Sequence, residues 1–141
     1  MKNQLRVLCA DNDDTCELLS AILESSGIEV TSAYTFAEAL RRAQTEHFDL
    51  YLLETRFVDG NGFELCRRIH KFAPHKPIIF YSADAYPADK EKGLAAGAAD
   101  YLVKPYFGDL EATVLKFIKR AETFSLMGYK NFETNVNYLR I

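Results

Sequence analysis

The chain has 141 residues, 48% of them apolar and 26% charged, with 17 basic and 20 acidic side chains giving a formal charge of −3. That length fits one domain able to bury roughly 70% of its unfolded surface. The slight acidic excess argues against nucleic-acid or anionic-lipid binding by charge, and no apolar stretch approaches the ~20 residues of a membrane span.

Five short apolar runs alternate with five amphipathic segments. The first strand is expected over residues 5–10, followed by a helix with the stripe Leu18, Leu19, Ile22 and Leu23, ended by Gly27. A second strand over 28–33 leads to the capping box Thr35-x-x-Glu38 and a helix carrying Phe36, Ala39, Leu40 and Ala43. The third strand, 50–53, is apolar without alternation, which suits a strand covered on both faces. Phe63, Cys66, Ile69 and Phe72 mark the next helix, stopped before Pro74. A fourth strand over 77–81 precedes a helix entered through Pro87, with Leu94, Ala95 and Ala98 as its weaker stripe. The fifth strand, 101–103, is followed by a helix bearing Leu110, Val114, Leu115, Phe117 and Ile118. This alternation implies right-handed crossovers and a doubly wound parallel α/β sheet.

The N-terminal stretch is too short in its apolar part to be a signal peptide. Cys9, Cys16 and Cys66 lack disulfide-framework or zinc spacing and read as small buried hydrophobes in a reducing cytoplasm.

In a sheet of this kind, ligands sit outside the carboxyl ends of the strands. Asp11, Asn12 and Asp13 follow the first strand, Glu54 the third, Ser82 and Ala83 the fourth, and Lys104 and Pro105 the fifth. Acids, a hydroxyl and a lysine therefore converge at one end of one sheet.

On these residues the chain resembles the receiver domain of two-component response regulators, over about residues 4–121. The resemblance rests on Val7-Leu8-Cys9-Ala10-Asp11-Asn12-Asp13, Asp49-Leu50-Tyr51-Leu52-Leu53-Glu54, Gly62, Pro77-Ile78-Ile79-Phe80-Tyr81-Ser82-Ala83, Gly93-x-x-x-Gly97-Ala98-x-Asp100-Tyr101 and Val103-Lys104-Pro105. It implies a flavodoxin-like five-stranded parallel sheet of order 2-1-3-4-5 with five helices. It also implies a cytoplasmic, non-enzymatic signalling module whose aspartate accepts a phosphoryl group from a histidine kinase with Mg²⁺. By the same resemblance, Asp11 and Asn12 fall on the acidic metal pocket, and Glu54 falls on the phosphoacceptor aspartate. Ser82 and Lys104 fall on the phosphoryl-binding hydroxyl and lysine, and Tyr101 on the aromatic whose rotamer reports activation. The Lys104-Pro105 peptide resembles the family's cis bond. The implied partner face is the fourth helix, fifth strand and fifth helix, near Tyr86, Tyr101, Tyr106 and Phe107, which would bind a target protein or a second receiver as a homodimer.

Two departures point the same way. In-line phosphoryl transfer is mainly positioning and charge neutralisation, and a misplacement of ~1 Å can cost on the order of 10²-fold in rate. Glu54 is one methylene longer than aspartate, and Asn12 removes a charge from a site where Mg²⁺ favours carboxylates, so Mg²⁺ binding is expected to be weak. The expected outcome is a Glu54 carboxylate that reaches Lys104, and Ser82 as well, in an atypical receiver that acts without phosphorylation. A same-fold alternative keeps Glu54 as an inefficient acceptor. An alternative of another class reads Asp11-x-Asp13-x-Thr15 as resembling the opening motif of haloacid-dehalogenase-type phosphohydrolases, with Asp11 as nucleophile and Asp13 as general acid/base. Residues 122–141 form a C-terminal extension, expected to prolong the fifth helix to about Gly128 or to begin a linker.

Overall fold

The computed structural model describes residues 4–106 and 108–130. Seven strands and five helices follow in chain order among them. They are β1 (Arg6–Ala10), α1 (Asp13–Glu24), β2 (Glu29–Ala33), α2 (Phe36–Thr45), β3 (Leu50–Leu53), β4 (Arg56–Phe57), β5 (Gly60–Asn61), α3 (Gly62–Phe72), β6 (Ile78–Ser82), α4 (Pro87–Ala95), β7 (Asp100–Val103) and α5 (Leu110–Lys130). The main sheet is parallel, in the order β2-β1-β3-β6-β7. This is the expected 2-1-3-4-5 order, with a small antiparallel hairpin, β4–β5, inserted after the third strand.

Side chains alternate across the sheet because successive residues of a strand point to opposite faces. Leu50 and Leu52 enter the core beneath α1 and α5, with Val7, Cys9, Leu19, Leu23, Val114 and Ile118. Tyr51 and Leu53 enter the opposite core, with Ala39, Leu65, Ile69, Phe80 and Tyr101. Both sets are buried, which explains why β3 and β6 read as apolar runs without alternation. No helix among the described residues is long and apolar enough to cross a membrane.

Helix starts follow local chemistry. Asn12 caps α1 by accepting the Thr15 N–H at 2.8 Å, and Asp13 and Asp14 place negative charge in its first turn. Thr35 accepts the Glu38 N–H, as the capping box predicts, whereas the Glu38 carboxylate takes the Tyr34 N–H instead of that of Thr35. The N–H groups of Phe36 and Ala37 are satisfied by Asp59, from the β4–β5 hairpin 22 to 23 residues away.

The stripes of three helices differ from expectation. Leu18 of α1 and Leu94 of α4 are exposed, while Gly93 and Ala96 form the buried side of α4. The reason is close packing: a Cβ on Gly93 would stand 3.0 Å from the rings of Phe80 and Tyr101, so α4 lies too near the sheet to seat a leucine there. Phe72, at the end of α3, is likewise exposed. Helix α5 runs past the expected end near Gly128 to Lys130, and the rest of the 122–141 extension lies outside the described residues.

Candidate functional site

Backbone pairing beyond the strands brings the expected residues together. The Asp11 N–H donates to the Ala33 carbonyl, the Glu54 N–H to that of Ala10, and the Lys104 N–H to that of Ser82. Each bond extends the parallel ladder by one step, so Asp11, Glu54, Ser82 and Lys104 emerge at the same edge. Gly62 closes the loop behind Glu54. Its N–H donates to the Thr55 carbonyl at 2.8 Å, and a Cβ at that position would overlap the Glu54 carbonyl oxygen. An open cleft of about 370 Å³ lies over this edge, lined in part by Asp11, Asn12, Glu54, Arg56, Ser82 and Asp84.

Lys104 is the centre of charge. Its Nζ lies 2.8 Å from Glu54 Oε2, 3.0 Å from Asp11 Oδ2 and 3.4 Å from the Thr15 hydroxyl. Its peptide with Pro105 is cis, as the resemblance implies. Burial alone would lower the lysine pKa, but hydrogen bonds to Glu54 and Asp11 outweigh it and hold the ammonium above its usual range. The two acids respond differently to the shared cation. Burial pushes the Asp11 carboxyl up, and the Asn12 N–H and Lys104 only partly offset this. Burial also raises Glu54, but Lys104 together with the Thr55 N–H at 2.6 Å holds it below the ordinary carboxylate range. Lys104 therefore serves Glu54 better than Asp11.

The Ser82 hydroxyl also faces Glu54 and, after Lys104, helps hold its carboxyl down. Its bonds run to the Thr55 hydroxyl at 3.1 Å and from the Asp84 N–H at 3.1 Å. Thr55 thus also links Ser82 to Glu54 through its hydroxyl. Arg56 forms a bidentate pair with Asp84, both N···O distances being 3.1 Å. Thr55, Arg56 and Asp84 carry no signal in the sequence beyond their adjacency to Glu54 and Ser82.

The donor set does not fit Mg²⁺. Asn12 Oδ1 is committed to capping α1, both Glu54 oxygens are taken by Lys104 and Thr55, and a fixed ammonium stands between the two carboxylates. Asp13 lies exposed in the first turn of α1, its carboxylate accepting the Asp14 N–H, whereas Asp11 is buried beside Lys104.

Of the expected partner face, Tyr86 is 78% exposed and Tyr106 half-buried, its N–H donating to the Tyr81 hydroxyl. Tyr101 is only 6% exposed, so it is not a surface contact. Its ring stacks near Phe80 and its hydroxyl donates to the Asp84 carbonyl at 2.5 Å. Phe107 lies outside the described residues. The three cysteines are buried, with Cys16 Sγ 3.3 Å from Cys9 Sγ.

The chain is similar to known proteins in sequence and in fold. The alkaline phosphatase synthesis transcriptional regulatory protein PhoP of Bacillus subtilis is 33% identical over 119 residues, covering 83% of this chain and 50% of PhoP. The signal transduction histidine-protein kinase BarA of Escherichia coli is 37% identical over 98 residues, covering 67% of this chain and 11% of BarA. This chain thus spans half or less of either relative. A CheY-like response regulator receiver domain protein from Methanospirillum hungatei superposes with a TM-score of 0.81 at 30% identity, covering 86% of this chain and 98% of that one. The sequence model of the response regulator receiver domain matches residues 7–115, and the chain belongs to that family.

Proposed function

We propose that this receiver domain, taken as residues 4–121, signals through protein contacts without a phosphorylation cycle, Glu54 standing in place of the phosphoacceptor. Receiver domains are signalling modules of two-component systems that work with histidine kinases and other proteins. The observation that carries the reading is the 2.8 Å bond from Lys104 Nζ to Glu54 Oε2. A carboxylate in that place gives the lysine, with one charge, part of what an aspartyl phosphate gives with about two. The same oxygens fill space an incoming phosphoryl group needs, and the donors for Mg²⁺ are engaged elsewhere. Buried Tyr101 fits an arrangement held permanently in the active-like state.

Output then passes through the α4-β7-α5 face, with exposed Tyr86 and neighbouring Tyr106 as contacts for a protein target or a second copy of the domain. Residues 122–141 are taken as an extension of the unit, its first part continuing α5 as far as Lys130. The domain works in the cytoplasm, where response regulators meet their partners. Incubation with acetyl phosphate and Mg²⁺, followed by intact-mass measurement, tests the reading. The mass is expected to stay unchanged, and stoichiometric addition of a phosphoryl group at Glu54 would overturn it.

A further inference from the structure

We propose that Asp84 is a positioning residue: gripped by Thr55 and Arg56, it keeps Tyr101 in its buried place with no phosphoryl group taking part. Asp84 follows β6 and uses every polar group it has. Its N–H donates to Ser82 Oγ, and its carbonyl accepts the Tyr101 hydroxyl. Its carboxylate accepts the Thr55 hydroxyl at 2.8 Å and both nitrogens of the Arg56 fork at 3.1 Å. Thr55 and Arg56 come directly after Glu54, so this one residue ties the loop behind β3 to the aromatic of β7.

Proton accounting gives the network a direction. Thr55 is buried and has a single hydroxyl proton, with Glu54 Oε1 at 3.0 Å and Asp84 Oδ2 at 2.8 Å as acceptors. Glu54 Oε1 already takes the Thr55 N–H, and Ser82 has a proton to give to Thr55. The order Ser82 to Thr55 to Asp84 therefore leaves each hydroxyl with one acceptor and Asp84 with a charge-assisted bond. The Thr55 bond is also the chief reason the Asp84 carboxyl is held below its usual range, with Arg56 adding to it against burial. Arg56 is 81% exposed and contributes less than buried Thr55, but its two-pronged contact fixes the plane of the carboxylate. With side chain and N–H both fixed, the Asp84 carbonyl is aimed at Tyr101.

The biological meaning of the latch rests on the functional reading above, whereas its geometry does not. The full chain carrying 3-fluorotyrosine at position 101 tests it by ¹⁹F NMR, with solvent exposure read as broadening by a soluble paramagnetic agent. The parent resonance is expected to be protected. Thr55→Val keeps the side-chain shape and deletes the hydroxyl, and Arg56→Ala alters only an exposed side chain. Losing one ordinary hydrogen bond shifts a two-state population roughly 2- to 10-fold. Broadening is expected to rise by about that factor in Thr55→Val, by less in Arg56→Ala, and most in the double variant. Exchanging the charges, with Arg56→Asp and Asp84→Arg together, is expected to recover part of the protection lost in Arg56→Asp alone, which a mere packing role would not do. Equal protection in all variants, or no recovery in the exchanged pair, overturns the proposal. Phosphoryl uptake at Glu54 would remove the functional reading and leave this result untouched, so the two fail separately.

Discussion

Lys104 reaches Glu54 at 2.8 Å and, with the same ammonium, Asp11 at 3.0 Å, so a single cation serves two acids at the edge of the sheet. Glu54 emerges from the competition with its carboxyl held below the ordinary range, and Asp11 with its carboxyl pushed above it by burial. Substitutions at the three positions therefore have different signs.

Lys104→Met leaves two half-compensated carboxylates in a largely buried place. Removing one partner of a buried pair costs about 3–5 kcal/mol, and partial solvent access here reduces the expected loss to about 2–3 kcal/mol. Glu54→Gln is expected to cost about 1–2 kcal/mol, because it keeps the hydrogen-bonding shape and loses the charge. Asp11→Asn is expected to be neutral or stabilising at pH 7. Urea denaturation of the three variants checks the order; a larger loss in Asp11→Asn than in Lys104→Met contradicts it.

The acid limb of stability follows from the same two shifts. Burial raises Glu54 but Lys104 wins, so its folded pKa lies below the ordinary 4.5. Its contribution is complete above pH 4.5 and is lost as pH falls through the lower folded value. Asp11 runs the other way: burial lifts it above 3.8, so its favourable protonated form is fully present below 3.8 and is lost as pH rises through the raised value. A ¹³C NMR titration of the side-chain carboxyls is expected to show the Asp11 midpoint displaced upward and that of Glu54 downward. Midpoints at 3.8 and 4.5 would contradict both the dominance of burial at Asp11 and that of Lys104 at Glu54.

Two glycines differ in what lies above them. At Gly62 a methyl group meets the Glu54 carbonyl of the main chain, which cannot yield without moving the site. Gly62→Ala is expected to cost about 3 kcal/mol or more. At Gly93 the neighbours are the rings of Phe80 and Tyr101, which can tilt, so Gly93→Ala is expected to cost about 1–2 kcal/mol. Thermal unfolding compares them, and an equal or smaller effect at Gly62 contradicts the loop-closing role.

The thiols are expected to be inert in the folded state. Burial pushes Cys66 up to about 12, and Cys9 and Cys16 are shielded in the opposite core. A thiol reagent at pH 8 is expected to label none of the three within minutes under native conditions and all three in denaturant. Rapid native labelling of any of them would show that its segment opens readily.

Much of this molecule is visible in its letters. The unbroken apolar runs of β3 and β6, the Thr35 cap and the residues after each strand place the sheet and bring Asp11, Glu54, Ser82 and Lys104 to one edge. Other features have no local signature. The β4–β5 hairpin has strands of two residues, too short for any periodicity. Asp59 caps α2 from a distant hairpin, and helix caps are sought next to their helices. Leu94 looks like the buried residue of α4 because it is the larger one, yet the helix packs through Gly93. Asp84 reads as an ordinary loop acid, since its importance comes from three partners that only folding assembles.

The central claim is that Glu54, together with Asn12, has replaced phosphoryl chemistry with a built-in ion pair. Parent protein and the double variant Glu54→Asp with Asn12→Asp test it most directly, side by side with acetyl phosphate and Mg²⁺, by intact mass. Aspartate at position 12 still caps α1, so the fold is expected to survive the exchange. The account predicts one added phosphoryl group on the double variant and none on the parent. Uptake by the parent at Glu54, or by neither protein, would contradict it.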